Sequence, residues 1–182
     1  MTIQPGIHKL GPENAALAVK TGRTGATAKA GHDLVIHVTS WQATLEVGED
    51  PARTSIALEA DATSLRVREG TGGMQALGDD DKSNIHKTID DDVLKRKGIE
   101  FRSTEVRTAA DGSRISVQGE LELSGQVHPI AFDLAVGDDG KLSGSAPLKQ
   151  TDWGIKPYST LFGALKVADE VEVVIDASLP AS

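Results

Sequence analysis

The side chains best suited to hold a metal or move a proton are the five histidines, His8, His32, His37, His86 and His128. Their spacing restricts them. A zinc site on one element wants two imidazoles on one face, as in a helical HxxxH pair. His32 and His37 differ by an odd interval, which puts them on opposite faces of a strand, and neither belongs to such a pair. No metal site is expected. His32 alone shares parity with Leu34, Ile36 and Val38, so its ring turns inward beneath Gly31 while Asp33 faces the other way. There it suits a polar contact to a ligand headgroup or a proton relay; the plainer reading is a hydrogen-bonded wall or turn histidine.

Other constellations carry less chemistry. No GxSxG elbow presents a nucleophilic serine, and the absence of cysteine removes thiol catalysis, thiolate metal sites and disulfides. The acidic triplets 79–81 and 90–92 lack the alternating ligands, central glycine and terminal glutamate of a calcium loop, and suit a solvated face. Gly70-Thr71-Gly72-Gly73, following Arg66 and Arg68, could offer N–H groups and guanidinium forks to a phosphate, or simply form a flexible loop after a strand over 56–67. The stretch TDWGIKPYSTLFGALKVADE gathers Trp153, Tyr158 and Phe162 with Lys156 and Lys166. Rings beside lysines suit a wet rim over an apolar pocket, and equally a plug closing one end of a barrel.

The elements that must position these residues are strands, because apolar residues alternate. Alternation is cleanest in Ile115, Val117, Leu121 and Leu123, in Ile130, Phe132, Leu134 and Val136, and in Val171, Val173, Ile175 and Ala177. It recurs in Leu34, Ile36 and Val38, in Trp41, Ala43, Leu45 and Val47, in Ile56, Leu58 and Ala60, and in Leu142, Ala146 and Leu148. The first two of these have opposite parity, so Thr39 and Ser40 must hold a bulge or tight bend. Turn signals at 48–51, Asp111-Gly112, 125–129 and 137–140 join sequential neighbours into a meander. One segment departs from this pattern. SNIHKTIDDDVLKRK places Ile85, Ile89 and Val93 four apart, one stripe of a short helix that Asp79, Asp80 and Asp81 cap. About eight strands and one helical insertion give an all-β fold, an eight-stranded antiparallel up-and-down barrel that closes to remove its edges. Phe, Trp and Tyr make up only 3% of the chain, so few rings are available to fill the lumen. A cavity lined by Val, Ile, Leu and Ala is the sharper expectation, a filled core the alternative.

Length and charge bound the rest. A chain of 182 residues makes one domain. A net charge of −8 with no Lys/Arg run sets a repulsive field against phosphate backbones, so nucleic acid is not an expected partner. No run of ~18 apolar residues is present to span a membrane. MTIQPGIHKLGPENAALAV lacks the basic and apolar regions of a secretion signal, from which a cytoplasmic location is expected.

In their order, several segments resemble the YceI-like family of lipocalin-like barrels over residues 17–178, leaving 1–16 as an N-terminal arm of a single domain 1–182. GHDLVIHVTSWQATLEV resembles that family's opening hairpin, with His32 at a characteristic position. TSIALEADATSLRVREG is similar to its strand entering a long connection, and TIDDDVLKRKGIEFRSTEV to its segment after the helix. ISVQGELELSGQVHPIAFDL, with Gly119, Leu121, Leu123, Gly125, His128, Pro129 and Ile130 in the pattern GxLxLxGxx(K/R/H)P(I/V), is the most specific match. The resemblance implies a non-enzymatic protein that carries or sequesters a long amphiphile, typically a polyisoprenoid or an isoprenoid quinone, without a cofactor.

On that basis the ligand's polar end is expected against His32, Arg66 and Arg68. Its chain would lie along Ile36, Leu121, Leu123, Phe132, Leu134 and Val173, with Trp153, Tyr158 and Phe162 at the rim. The expected partners are this isoprenoid-type lipid and, as self-association, a homodimer. A rival of another class is an enzyme acting on a small amphiphile with His32 as general base, which needs a carboxylate or carbonyl to orient the imidazole; Asp33 is adjacent but points oppositely. A third reading is a stress-related interaction domain with a filled core.

Overall fold

The computed structural model describes residues 3–24, 33–71, 78–160 and 165–179. Its strands are β1 (Gly6–Leu10), β2 (Ala15–Thr21), β3 (Arg23–Thr24), β4 (Asp33–Val38), β5 (Trp41–Val47), β6 (Ser55–Ala60) and β7 (Leu65–Thr71). After helix α1 (Asp79–Thr88) and a π turn (Ile89–Val93) come β8 (Ile99–Thr108), β9 (Arg114–Leu123), β10 (Gln126–Val136) and β11 (Lys141–Lys149). The last are β12 (Ser159–Thr160), β13 (Leu165–Val167) and β14 (Glu170–Ser178). Eleven strands form one antiparallel curled sheet, a half-barrel, in the order β1-β5-β6-β8-β9-β10-β11-β14-β2-β4-β7, and β12-β13-β3 form a small second sheet. Residues 6–10, within the segment expected to be an arm, are therefore a strand of the main sheet. No helix among the described residues is long and apolar enough to cross a membrane.

The expectation of eight strands is corrected to eleven: β1, β2 and β8 lie outside the alternating runs, and a corner divides the strand expected over 56–67 into β6 and β7. β4 and β5 do not pair with each other, so GHDLVIHVTSWQATLEV is not a hairpin. The two are consecutive halves of one long strand broken at Thr39-Ser40, where the parity change demanded a bend. Opposite them, β6 and β7 are likewise consecutive, broken at a 3-10 turn, Ala62–Ser64, within the strand expected over 56–67. The two breaks are stitched together. Thr39 N–H donates to Ser64 O at 2.9 Å and Asp61 N–H to Ser40 O at 3.0 Å. Ser40 N–H donates to the buried Ser64 Oγ at 3.1 Å, and that hydroxyl lies 2.7 Å from Asp61 O. Asp61 Oδ1 caps the turn by accepting Thr63 N–H at 2.8 Å. Val38 pairs with Leu65 on one side of the corner and Trp41 with Ala60 on the other, so Thr39-Ser40 face the four residues 61–64 and the register steps by two across the corner.

The meander expected between consecutive strands holds from β8 through β11. The turn expected over 125–129 is tighter: Ser124 and Gly125 alone turn, both with left-handed φ (49° and 78°), and Pro129 lies within β10. Two successive left-handed residues match the twist of a two-residue hairpin. Along the strands the alternating apolar residues face one interior. Ile115, Val117 and Leu121 of β9 are buried, as are Leu134 of β10, Leu142, Ala146 and Leu148 of β11, and Ala177 of β14. Gly119 completes the inward row of β9, because a Cβ there would strike Arg102 O and come within 2.6 Å of the Phe101 ring. That ring covers the glycine and meets Phe132 at 5.5 Å between centroids.

Helix α1 begins a turn earlier than its apolar stripe indicated, with Asp79, Asp80 and Asp81 in its first turn, where carboxylates oppose the helix dipole. Asp81 Oδ2 accepts Gly78 N–H at 3.1 Å. The helix packs along β7, the strand that ends the main sheet.

Candidate functional site

The inward faces enclose a cavity of about 540 Å³. Its wall is nearly all aliphatic: Leu17 and Val19 from β2, Leu34, Ile36 and Val38 from β4, Ile56 and Leu58 from β6, and Phe101 from β8. Leu121 and Leu123 of β9, Ile130, Phe132 and Leu134 of β10, and Val171, Val173 and Ile175 of β14 continue it. Ile85, Ile89 and Val93, the helical stripe, line it as well. Polar atoms are few. Thr21, Arg23, Asn84, Thr88, Ser145, Gln150 and Tyr158 supply them. Tyr158 both lines the cavity and is 48% exposed, which marks one place where the interior meets the surface.

Of the residues expected to touch a ligand, the fold brings seven to this wall: Ile36, Leu121, Leu123, Phe132, Leu134, Tyr158 and Val173. Strand alternation explains six of them. His32 and Phe162 lie outside the described residues, as do Gly72 and Gly73 of the glycine run.

Arg66 and Arg68 are not at the cavity. Leu65 and Val67 take the inward positions of β7, which sends Arg66 outward, where its guanidinium donates to Thr63 O at 2.8 Å and Leu65 O at 3.0 Å. Arg68 is exposed at a register shift, since Val35 pairs with Glu69 while Ile36 pairs with Val67. Parity and a bulge thus leave both arginines off the cavity wall.

Trp153 is also not on the wall. Only 2% exposed, it sits in the 3-10 turn after β11, donates its indole N–H to Leu121 O at 2.8 Å, and lies 5.5 Å from the His128 ring. It is a buried ring, with its one polar atom satisfied inside. The neighbouring Tyr158 takes the rim position instead.

Sequence reasoning missed Arg23 and Thr21, although AALAVKT carries the inward parity Leu17, Val19, Thr21. Arg23 Nε lies 3.6 Å from Asp33 Oδ1, and the same carboxylate accepts Arg23 N–H at 3.1 Å. This couples the cavity's arginine to the start of β4. The helical stripe was legible as a helix but not as cavity wall.

His86 has a structural partner. Its Nε2 accepts Val67 N–H from the outer side of β7 at 3.0 Å. Burial is the main cause holding its pKa below the ordinary 6.5; Arg66 and Lys82 push the same way and Asp90 opposes them. Among the described residues no group of three His, Asp or Glu side chains is close enough together to hold a metal ion.

Comparison with known proteins agrees with this geometry. The family model of the YceI-like domain matches residues 13–179. Burkholderia cenocepacia BcnA has a similar fold (TM-score 0.66, 17% identity, covering 92% of this chain and 96% of that one). A Campylobacter jejuni YCEI protein is similar at TM-score 0.55 and 15% identity, covering 81% of this chain and 85% of that one. A search of curated proteins finds no match.

Proposed function

The chain belongs to the YceI-like domain family, and from that premise we propose that it binds, and carries or sequesters, a long amphiphilic lipid inside its curled sheet. Family membership supports lipid binding in general; the finer proposal is a polyisoprenoid or isoprenoid quinone. The observation that carries this reading is the cavity wall itself: a 540 Å³ space faced by aliphatic side chains from strands and helix alike. An interior of this kind offers a ligand little except the removal of apolar surface from water. A chain of ten to twenty methylene-scale groups would contribute on the order of 10 kcal/mol by that route before ordering costs. No catalytic group is needed for such affinity, and we read the protein as a binder rather than an enzyme. Tyr158, Arg23, Thr21 and Gln150 are the polar groups on the wall placed to meet a ligand's polar end.

Organic extraction and lipid mass spectrometry of freshly purified protein test the reading. The expected result is one class of long-chain neutral or isoprenoid lipid in near-stoichiometric amount. Extracts free of lipid, from protein that also takes up no added isoprenoid, would refute it.

A further inference from the structure

Helix α1 is a wall of the cavity that is poorly anchored. None of its side chains is fully buried, whereas Ile89 and Leu94, in and after the π turn, are. The well-packed end is therefore the π turn, and single π turns recur at functional sites. Against the helix lies β7, the last strand of the sheet, whose outward N–H groups meet no strand among the described residues. One of them is satisfied by a side chain of α1: Val67 N–H donates to His86 Nε2 at 3.0 Å.

That bond exists only while Nε2 carries no proton. The charged groups facing the imidazole are Arg66 from β7, Lys82 one turn earlier in α1, and Asp90 one turn later in the π turn. Asp90 Oδ1 is buried and has no hydrogen-bond partner among the described residues. A proton on Nε2 turns the acceptor into a donor, breaks the bond to Val67 and sets a cation near Arg66. It also gives the ring a reason to turn toward the idle Asp90 carboxylate.

From this geometry we propose that His86 is an acid-released latch: neutral, it fastens α1 to the edge of β7; protonated, it lets α1 swing on the π turn and opens the cavity between them. The proposal rests on the lipid reading of the cavity and supplies its regulation, retention at neutral pH and exchange under mildly acidic conditions.

The test pairs two measurements between pH 8 and 5. Amide hydrogen exchange by NMR, corrected for the intrinsic rate, follows Val67 and α1; stopped-flow fluorescence follows entry of N-phenyl-1-naphthylamine, a neutral apolar dye. A ring that titrates near 6.5 when released and stays neutral when latched favours opening by about tenfold for each pH unit below that value. Wild-type protection at Val67 should fall by that factor near pH 5.5, with dye entry accelerating in step. His86→Gln, which keeps an acceptor that does not titrate, should flatten both profiles. Asp90→Asn should move the transition to lower pH. Wild-type protection that does not change with pH, or a pH dependence that survives in His86→Gln, would overturn the latch. Exchange that titrates while no dye enters at any pH upholds the latch and overturns the lipid reading; dye entry with exchange that does not titrate overturns the latch alone.

Discussion

Trp153 shows how a single side chain divides fold from function. Its indole is enclosed and its N–H is bonded to Leu121 O, so it holds the 3-10 turn after β11 against β9. Trp153→Ala should cost ~3–5 kcal/mol in chemical denaturation, as expected for truncating a large buried ring. In a Trp41→Phe background, the remaining emission of Trp153 should not shift when an isoprenoid is added, because water leaves this ring neither before nor after; a clear shift would return it to the rim. For Arg66 and Arg68 the outward geometry leads to a different outcome. Replacing both by Gln should leave affinity for a polyprenyl pyrophosphate and for a quinone of equal chain length unchanged in a titration. Selective loss of the pyrophosphate would place them at the headgroup. The parity that excludes Arg66 was present in the sequence, since Leu65 and Val67 flank it. The interior of Trp153 was not, because a ring beside lysines reads alike as rim or plug.

Elements were legible where their period was long and unbroken. β9, β10 and β14 follow from strict alternation, and α1 from a four-residue apolar stripe. What escaped the sequence is a change of direction made by backbone hydrogen bonds. At Ala62–Ser64 apolar alternation continues from Ala60 through Ala62 with no glycine or proline to signal a break, so one strand was expected where two meet at a corner. Ser64 is the side chain that holds this corner, and Ser64→Ala should cost ~1–3 kcal/mol by leaving Ser40 N–H without its partner. Thermal unfolding of this variant beside the exposed β11 control Ser143→Ala checks it; equal midpoints would mean that the corner holds by backbone bonds alone. Turn chemistry also sets the response to acid. Thr63 holds the Asp61 carboxyl below its ordinary 3.8, chiefly through its hydroxyl, and Ser113 and Thr151 do the same for Asp111 and Asp169. Lowered carboxylate values mean stability present above about 3.8 and lost as pH falls through the folded values. The lowered value of His86 adds an earlier loss that begins below 6.5. Unfolding midpoints should therefore be level above pH 7, decline first on the way to pH 5 and again below pH 4. His86→Gln should remove the first decline and keep the second.

At the scale of the whole molecule, the sheet turns a corner where β4 passes into β5 and β6 into β7, and the space inside is faced mostly by aliphatic side chains, with few rings on its wall. Most of the aliphatic wall could be read from alternation alone; the polar groups Arg23 and Gln150 could not, since their place depends on how β3, β13 and the turn after β11 come together in space. The central claim is that this space holds a ligand, and filling it is the direct test. Ala146 lines the cavity from β11, while Ala131 on the outer face of β10 does not. Equilibrium binding of a fluorescent isoprenoid should be weakened at least tenfold by Ala146→Phe, whose overpacking costs ~1–3 kcal/mol of stability, and left unchanged by Ala131→Phe. Full binding by a folded Ala146→Phe protein, or equal losses in both variants, would contradict it.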